Sequence, residues 1–329
     1  MRYICVSIAL VLLLIWSCEN AGEPVEIDSR AADEQAILSI INEIEDSDTA
    51  DYFYADLDEE TEDQFIEPEY EFLAKPVIPL KYGRVGLRPL VRDIRVEFTS
   101  DTSARVVFFK VLHGRFRVVT MDSSYMLQRI ERKMGHKFHR IAYFVKRGAE
   151  NESLRRRWHM VATSVVDGKS LGVVDSTRIQ TTLHILKLSV EYADTILVIE
   201  DPLNFIQRPG SILTLPTGSE VRVTAHVRND AQNKIRIPTG KGSELVRLHF
   251  GRHRNWRSVD MYGIRYMKWI GQTADGVNIY QGNWTVKAHF RINHAVIDVI
   301  DNGCIFNDDI QTYPYNSVTW GMPYRIKPM

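Results

Sequence analysis

Residues 92–112 read RDIRVEFTSDTSARVVFFKVL. Ile94, Val96 and Phe98 alternate with Arg95 and Glu97, which is the period of a half-buried strand. Ser100-Asp101-Thr102-Ser103 has turn chemistry, and Ala104–Leu112 follows as a second strand, apolar on both faces. Downstream, His113-Gly114 predicts a tight hairpin into Arg115–Thr120. Further strands are expected over Lys137–Val145 and Arg157–Val166, with Asp167-Gly168 as a closing turn.

Upstream of this stretch the periodicity is helical. From Asp33 onward, Ile37, Ile40, Ile41 and Ile44 recur at three- and four-residue spacing and form one apolar stripe. A second helical stretch covers Thr49 to Leu57 and a third Gln64 to Leu73, and Pro76 and Pro79 end the helical region. Helices followed by a run of antiparallel strands predict an α+β layout. With this element order and the closing strand Arg157-Trp158-His159-Met160-Val161, residues 33–167 resemble the nuclear-transport-factor-two-like, or SnoaL-like, fold. The resemblance implies a cone-like domain, helices on a curved antiparallel sheet, whose open end holds a small apolar ligand. In an isomerase or dehydratase of that type, Tyr52, Tyr54, Asp56, His113 and His159 would be the acid and base groups, tuned by a dry pocket.

Beyond Ser176 no helical period of useful length appears. Thr182–Val190, Thr195–Ile199, Glu220–Arg228, Leu245–Phe250, Val277–Tyr280, Trp284–Phe290 and Ala295–Val299 read as strands punctuated by Gly-containing turns. Short strands at regular spacing predict a β-sandwich, immunoglobulin-like in outline. The expected domains are residues 33–168 and 176–329.

The chain opens with Arg2, an apolar run from Ile4 to Trp16, and then Ser17-Cys18. This is the layout of an export signal, and the run is shorter than the ~20 residues that span a bilayer. A cut after Ser17 leaves Ile15 at the third-last position, and a cut after Ala21 leaves Glu19 there. Neither suits ordinary cleavage, which takes small residues at both positions. Leu14-Ile15-Trp16-Ser17-Cys18 instead resembles a bacterial lipobox, with Trp16 departing from the usual small residue. That resemblance implies a signal peptide over residues 1–17, a lipid on Cys18, and an exported protein anchored to a bacterial membrane, at the periplasmic face or the cell surface. Residues 18–32 then form an acidic tether.

A net charge of −1 conceals a strong asymmetry. Residues 19–71 hold twenty acids against Arg30 alone, and residues 72–329 hold 39 bases against 22 acids, so the two parts carry −19 and +17. A basic body alone suggests nucleic acid, but an export signal argues against that partner, and the acidic segment is expected to lie against the body or to solvate the anchored end. Of the three cysteines, Cys5 leaves with the signal and Cys18 takes the lipid. Only Cys304 remains, so no intramolecular disulfide forms, and Cys304 reads as a small core residue.

The ten histidines raise the question of a metal. His136 and His139 stand three apart on a strand and so face opposite sides, and His249 and His253 have no nearby carboxylate before Asp260. No metal site and no cofactor are expected, because hydrolase-elbow and phosphate-loop motifs are also absent. The remaining signal is aromatic. Trp256, Trp269, Trp284 and Trp320, with Tyr313, Tyr315 and Tyr324, crowd the last part of the chain. Residues 313–324 hold two prolines and a glycine and read as extended, so Tyr313, Tyr315 and Trp320 form the candidate binding surface, either for an envelope protein or for a glycan.

Overall fold

The computed structural model describes residues 29–46, 64–65, 77–121, 126–174, 177–208, 212–236, 242–251, 262–287 and 292–327. Helix α1 (Ser29–Asp46) carries the expected stripe, with Ile37 and Ile41 fully buried. They pack on Ala104, Val106, Ala142, Phe144 and Trp158. Asp33 pins the helix, accepting from Trp158 Nε1 at 2.8 Å and from Lys146 Nζ at 2.8 Å.

A two-residue strand β1 (Gln64–Phe65) precedes three long ones, β2 (Pro79–Ser100), β3 (Ser103–Met121) and β4 (Leu127–Lys146). At about 3.3 Å per residue these span roughly 60–70 Å, several times the usual strand. A short helix α2 (Leu154–Arg157) leads into β5 (Trp158–Ser164), β6 (Val166–Val174) and β7 (Thr177–Gln180). Then come β8 (Leu183–Tyr192), β9 (Thr195–Ile199), β10 (Ile206–Gln207), β11 (Thr214–Pro216), β12 (Glu220–Asn229), β13 (Glu244–Gly251) and β14 (Tyr262–Tyr266). The chain finishes with β15 (Lys268–Gln272), β16 (Asn278–Thr285), β17 (Ile292–Asp301), helix α3 (Asn302–Phe306) and β18 (Ser317–Lys327).

Two largely antiparallel sheets result. The larger has 13 strands along the path β1-β2-β3-β4-β6-β18-β17-β13-β14, with β5, β7, β10 and β11 paired at its sides; the smaller runs β15-β16-β12-β8-β9. Although six strands separate β2 from β14 along the path, the Tyr82 hydroxyl donates to the Tyr266 hydroxyl at 3.3 Å. Strand twist has accumulated until the sheet coils on itself and encloses an interior. The other side of β13, β17 and β18 packs face to face on the smaller sheet as a β-sandwich. Val246, Leu248, Ile297, Val299, Trp320 and Tyr324 fill that core against Val190, Val223, Tyr280 and Trp284.

This architecture overturns the expected α+β cone followed by an immunoglobulin-like sandwich. Of the described residues 65% are strand and 11% helical, and among them no domain of helices on a cone-like sheet is evident. Strands on both sides of residues 168–176 join one sheet, since β6 pairs with β4 through Gly168–Phe138 and with β18 through Gly168–Thr319. Asp167-Gly168 lies within β6 and not in a turn.

Three local expectations also change. His113-Gly114 is no hairpin, because β3 runs straight through it, pairing with β4 from Ser103 to Met121. The glycine serves close packing at a bulge of β2: a Cβ there would meet Val85 O and the Leu87 side chain at 2.9 Å. The third expected helix fails at Gln64–Phe65, which is strand; the rest of it, and the second expected helix, lie outside the described residues. The C-terminal tail is a central strand, with every residue from Ser317 to Tyr324 buried. Pro323 is tolerated because β6 pairing ends at Gly321 and the β11 register begins at Arg325, so the residue lacking an N–H falls between two ladders.

Candidate functional site

Alternation along the strands turns one set of side chains into the coiled interior, and a layer of it is charged. Arg84 on β2 grips Asp298 on β17 with both terminal nitrogens, at 2.9 and 2.8 Å. Its Nε donates to the Tyr315 hydroxyl at 2.7 Å, and Nη2 also donates to Ser317 Oγ at 2.9 Å. Arg247 on β13 donates to the same Asp298 carboxylate from Nε at 3.2 Å and again from Nη2. His136 on β4 meets the Tyr315 hydroxyl at 3.2 Å and Thr319 Oγ1 at 3.4 Å. All three ionic side chains have 0% exposure. Burial alone would push the Asp298 carboxyl up, but Arg84 and Arg247 outweigh it and hold it well below the usual range. Burial, reinforced by Arg84, pushes His136 down to about 3, and burial pushes His249 down to about 4, so both rings stay neutral at physiological pH. A charged layer closed to solvent cannot receive a substrate. Its chemistry is to fix which strands face each other across the interior.

Next to this layer, at the junction of β17, α3 and β18, lies a pocket of about 240 Å³ whose lining mixes polar side chains with the apolar surface of Ala231, Tyr313, Pro314 and Tyr315. Asp301, at its wall, caps α3 by accepting from the Gly303 amide at 2.7 Å and accepts from Asn229 Nδ2 at 2.8 Å. Burial pushes its carboxyl up to about 6. Asn229 also donates to Ser243 Oγ, which donates to Glu244. Glu244 in turn accepts from Asn278 at 2.7 Å and Tyr280 at 3.1 Å. Across the opening the Tyr313 ring lies on Gly303, where a Cβ would run into ring carbon Cδ1, so only glycine admits it. Arg132 Nε donates to Tyr313 O at 2.6 Å and fixes the loop. Asn316, locked by Thr181 and Thr182 at 2.7 and 2.8 Å, forms another wall. Exposed amides of Gln232, Asn233 and Gln311 rim the opening. The pocket offers amide and hydroxyl groups, one carboxyl and a tyrosine ring, which is equipment for holding a small polar molecule.

The surface expected at Tyr313, Tyr315 and Trp320 therefore splits. Tyr315 and Trp320 are 1% and 4% exposed, because both belong to the buried tail strand or its approach. Trp320 faces the sandwich core, Tyr315 touches both the charged layer and the pocket, and Tyr313, half-buried, is the pocket's accessible ring. His113 and His159 do not converge. They lie opposite Gly135 and Val145 on β4, ten residues or about 33 Å apart. The cone on which the isomerase or dehydratase alternative rests is not evident, and of its five candidate groups only His113 and His159 are among the described residues. Tyr52, Tyr54, Asp56, Cys18, Trp256, His253 and Asp260 lie outside the described residues. His136 and His139 do take opposite faces, the first buried and the second stacked on Phe109 at 4.3 Å. Among the described residues no group of three His, Cys, Asp or Glu side chains is placed to hold a metal ion. Nor is any described helix long and apolar enough to cross a membrane. Sequence reasoning missed Arg84, Arg247, Asp298 and Asp301. The available signal was a charge inside an apolar run: Arg247 in Leu245-Val246-Arg247-Leu248, and Asp298 in Val296-Ile297-Asp298-Val299.

No family model matches the chain, and no curated protein matches it. Among solved structures, one of extended synaptotagmin 2, comprising its SMP domain and two C2 domains, aligns with 92% of this chain and 98% of that one, at 9% identity and a TM-score of 0.13. A score that low carries no argument about fold or function.

Proposed function

We propose that this chain is a lipid-anchored protein of the bacterial cell envelope that binds a small polyhydroxylated ligand, such as the terminal residue of a glycan, in the pocket beside Asp301. One observation carries the binding half of this reading: the 240 Å³ pocket, walled by Asp301, Tyr313 and Asn316 and rimmed by Gln232, Asn233 and Gln311. Drug-sized sites run to about 300–1,000 Å³, so this one suits a fragment on the scale of a single sugar ring. Amides and a carboxyl satisfy hydroxyls in either direction, and a tyrosine ring covers the apolar face of a sugar. The anchoring half rests on the short apolar run ending in Ser17-Cys18.

Saturation-transfer NMR on the full chain with a panel of neutral and acidic monosaccharides tests the first half. A signal lost in Tyr313→Ala, with an unchanged melting temperature, supports it; no transfer to any sugar in the wild type removes it. Metabolic labelling with a clickable fatty acid tests the second half. Cys18→Ala abolishes labelling and membrane retention if the reading holds, and retained labelling defeats it.

A further inference from the structure

Asp301, at the wall of the 240 Å³ pocket, is only 4% exposed. Both of its oxygens accept from neutral donors, Oδ2 from Asn229 Nδ2 at 2.8 Å and Oδ1 from the Gly303 amide at 2.7 Å. A second buried acid stands directly opposite it, because the register of β13 on β17 pairs Glu244 with Asp301. Glu244 is 3% exposed and is also held by neutral donors, from Ser243, Asn278 and Tyr280. Like charges placed opposite each other across two strands destabilise. Burial first, and then the Glu244 charge, push the Asp301 carboxyl up. Arg132 and Lys234 are near enough to feel Asp301, but Arg132 donates to Tyr313 O and Asn307 O, and Lys234 is exposed. A cation entering the pocket relieves the repulsion between the two acids, whereas a third acid adds to it. The electron-rich face of Tyr313 and the amide oxygens of Gln232, Asn233 and Gln311 at the rim favour an ammonium as well.

Resting on the reading of this pocket as a sugar site, we propose that its ligand is an amino sugar with a free, protonated amine, the ammonium placed at Asp301 and the ring against Tyr313. The carboxylate then prefers positive over neutral over negative sugars, and the amides at the rim prefer a ring with hydroxyls over a plain amine.

Ligand-observed NMR titration of the full chain at neutral pH tests this. The ligands are glucosamine and galactosamine, each beside its N-acetyl form and its neutral parent sugar, with glucuronate and cyclohexylamine as further comparisons. One of the two amino sugars is expected to bind at least about tenfold tighter than its parent, the worth of one charge-assisted hydrogen bond. Its N-acetyl form, whose nitrogen is uncharged, should fall to the level of the parent, and glucuronate should bind more weakly still. Asp301→Asn should remove the preference for the amine while neutral sugars still bind, and Tyr313→Ala should weaken every sugar. If Asp301→Asn does not fold, the comparison of ligands on the wild type decides. The proposal falls if neutral or acidic sugars bind as tightly as the amino sugars, if cyclohexylamine matches them, or if Asp301→Asn keeps the preference. Neutral sugars binding without any preference for the amine overturn the amino sugar alone and leave the sugar pocket standing. No binding of any sugar removes both.

Discussion

Strands β17 and β18 present two faces with opposite chemistry. Toward the smaller sheet, Ile297, Val299, Val318, Trp320 and Tyr324 meet apolar partners and need only volume and shape. Toward the coiled interior, Asp298, Ser317 and Thr319 meet Arg84, Arg247 and His136, and need partners at fixed distances. The first face is held by burial, which is non-directional. The second is held by directional pairs, whose desolvation cost makes them poor sources of net stability but strict selectors of arrangement. The charged layer therefore specifies that β2 lies against β17 and β13, a contact that hydrophobic attraction alone would leave free to slide.

The largest effect expected is from removing Asp298. Asp298→Ala leaves two guanidiniums buried beside each other without their anion, and about 5 kcal/mol of unfolding free energy should be lost, read by urea denaturation. Exchanging the whole set, Arg84→Met with Arg247→Met and Asp298→Leu, should cost less than about 2 kcal/mol, because no charge is then stranded. If the triple exchange is as damaging as Asp298→Ala, the layer is a net stabiliser and the comparison between the faces fails.

Next in size is Trp320→Ala on the other face. Its ring sits 4% exposed in the sandwich core, and such truncations cost about 3–5 kcal/mol through lost transfer energy and the cavity left behind. A loss under about 1 kcal/mol would mean that the ring is not packed there and would restore it as a surface residue.

How far this contrast can be read from sequence differs between the faces. The Ile37 and Ile41 stripe and most strands after Leu183 follow from periodicity, since apolar burial leaves a regular trace. What failed was the assignment of signals with two physical meanings. Gly114 and Gly168 looked like turns because glycine serves turns and close packing alike. The tail looked exposed because Pro323 normally marks an edge, and only the sheet order shows the break in pairing beside it. The charged layer and Asp301 join residues more than 50 positions apart in the chain, as Asp298 does with Arg84 and Arg247 and Asp301 does with Asn229, and local pattern does not encode such meetings. An acid amid Ile297, Val299 and Ile300 is still a usable warning that a partner exists.

Acid should separate two buried titrating systems by sign. Between about pH 4 and 6 the native state keeps a proton on Asp301 that the unfolded chain has released, so this group's contribution falls as pH rises through that window. His136 and His249 act in reverse: below about 6.5 the unfolded chain takes up protons that the buried rings refuse, so stability falls as pH falls. Asp301→Asn leaves the imidazoles unopposed. The decline of unfolding free energy with acid should then steepen by up to about 1.4 kcal/mol per pH unit between pH 4 and 6. An unchanged slope would mean that Asp301 is ionised and well solvated, and the pocket would lose its buried acid.

The smallest expected effect on stability is at Tyr313, where the two faces and the pocket come closest together. Its neighbour Tyr315 is built into the charged layer, accepting from Arg84 at 2.7 Å. Even Tyr315→Phe should cost about 1–3 kcal/mol by stranding that donor. Tyr313 is only half-buried, and its backbone carbonyl, not its ring, receives Arg132. Tyr313→Ala keeps that hydrogen bond, leaves no charge stranded, and removes a ring that rests on Gly303. The melting temperature should therefore move little, corresponding to about 1 kcal/mol or less. Ligand capture should respond instead, because the covering ring of the pocket is gone. A variant that loses several kcal/mol would place Tyr313 in the core with Tyr315 and leave the pocket without an accessible aromatic. Intact stability with lost sugar binding would separate the two tyrosines, one as a structural pin and the other as a binding residue.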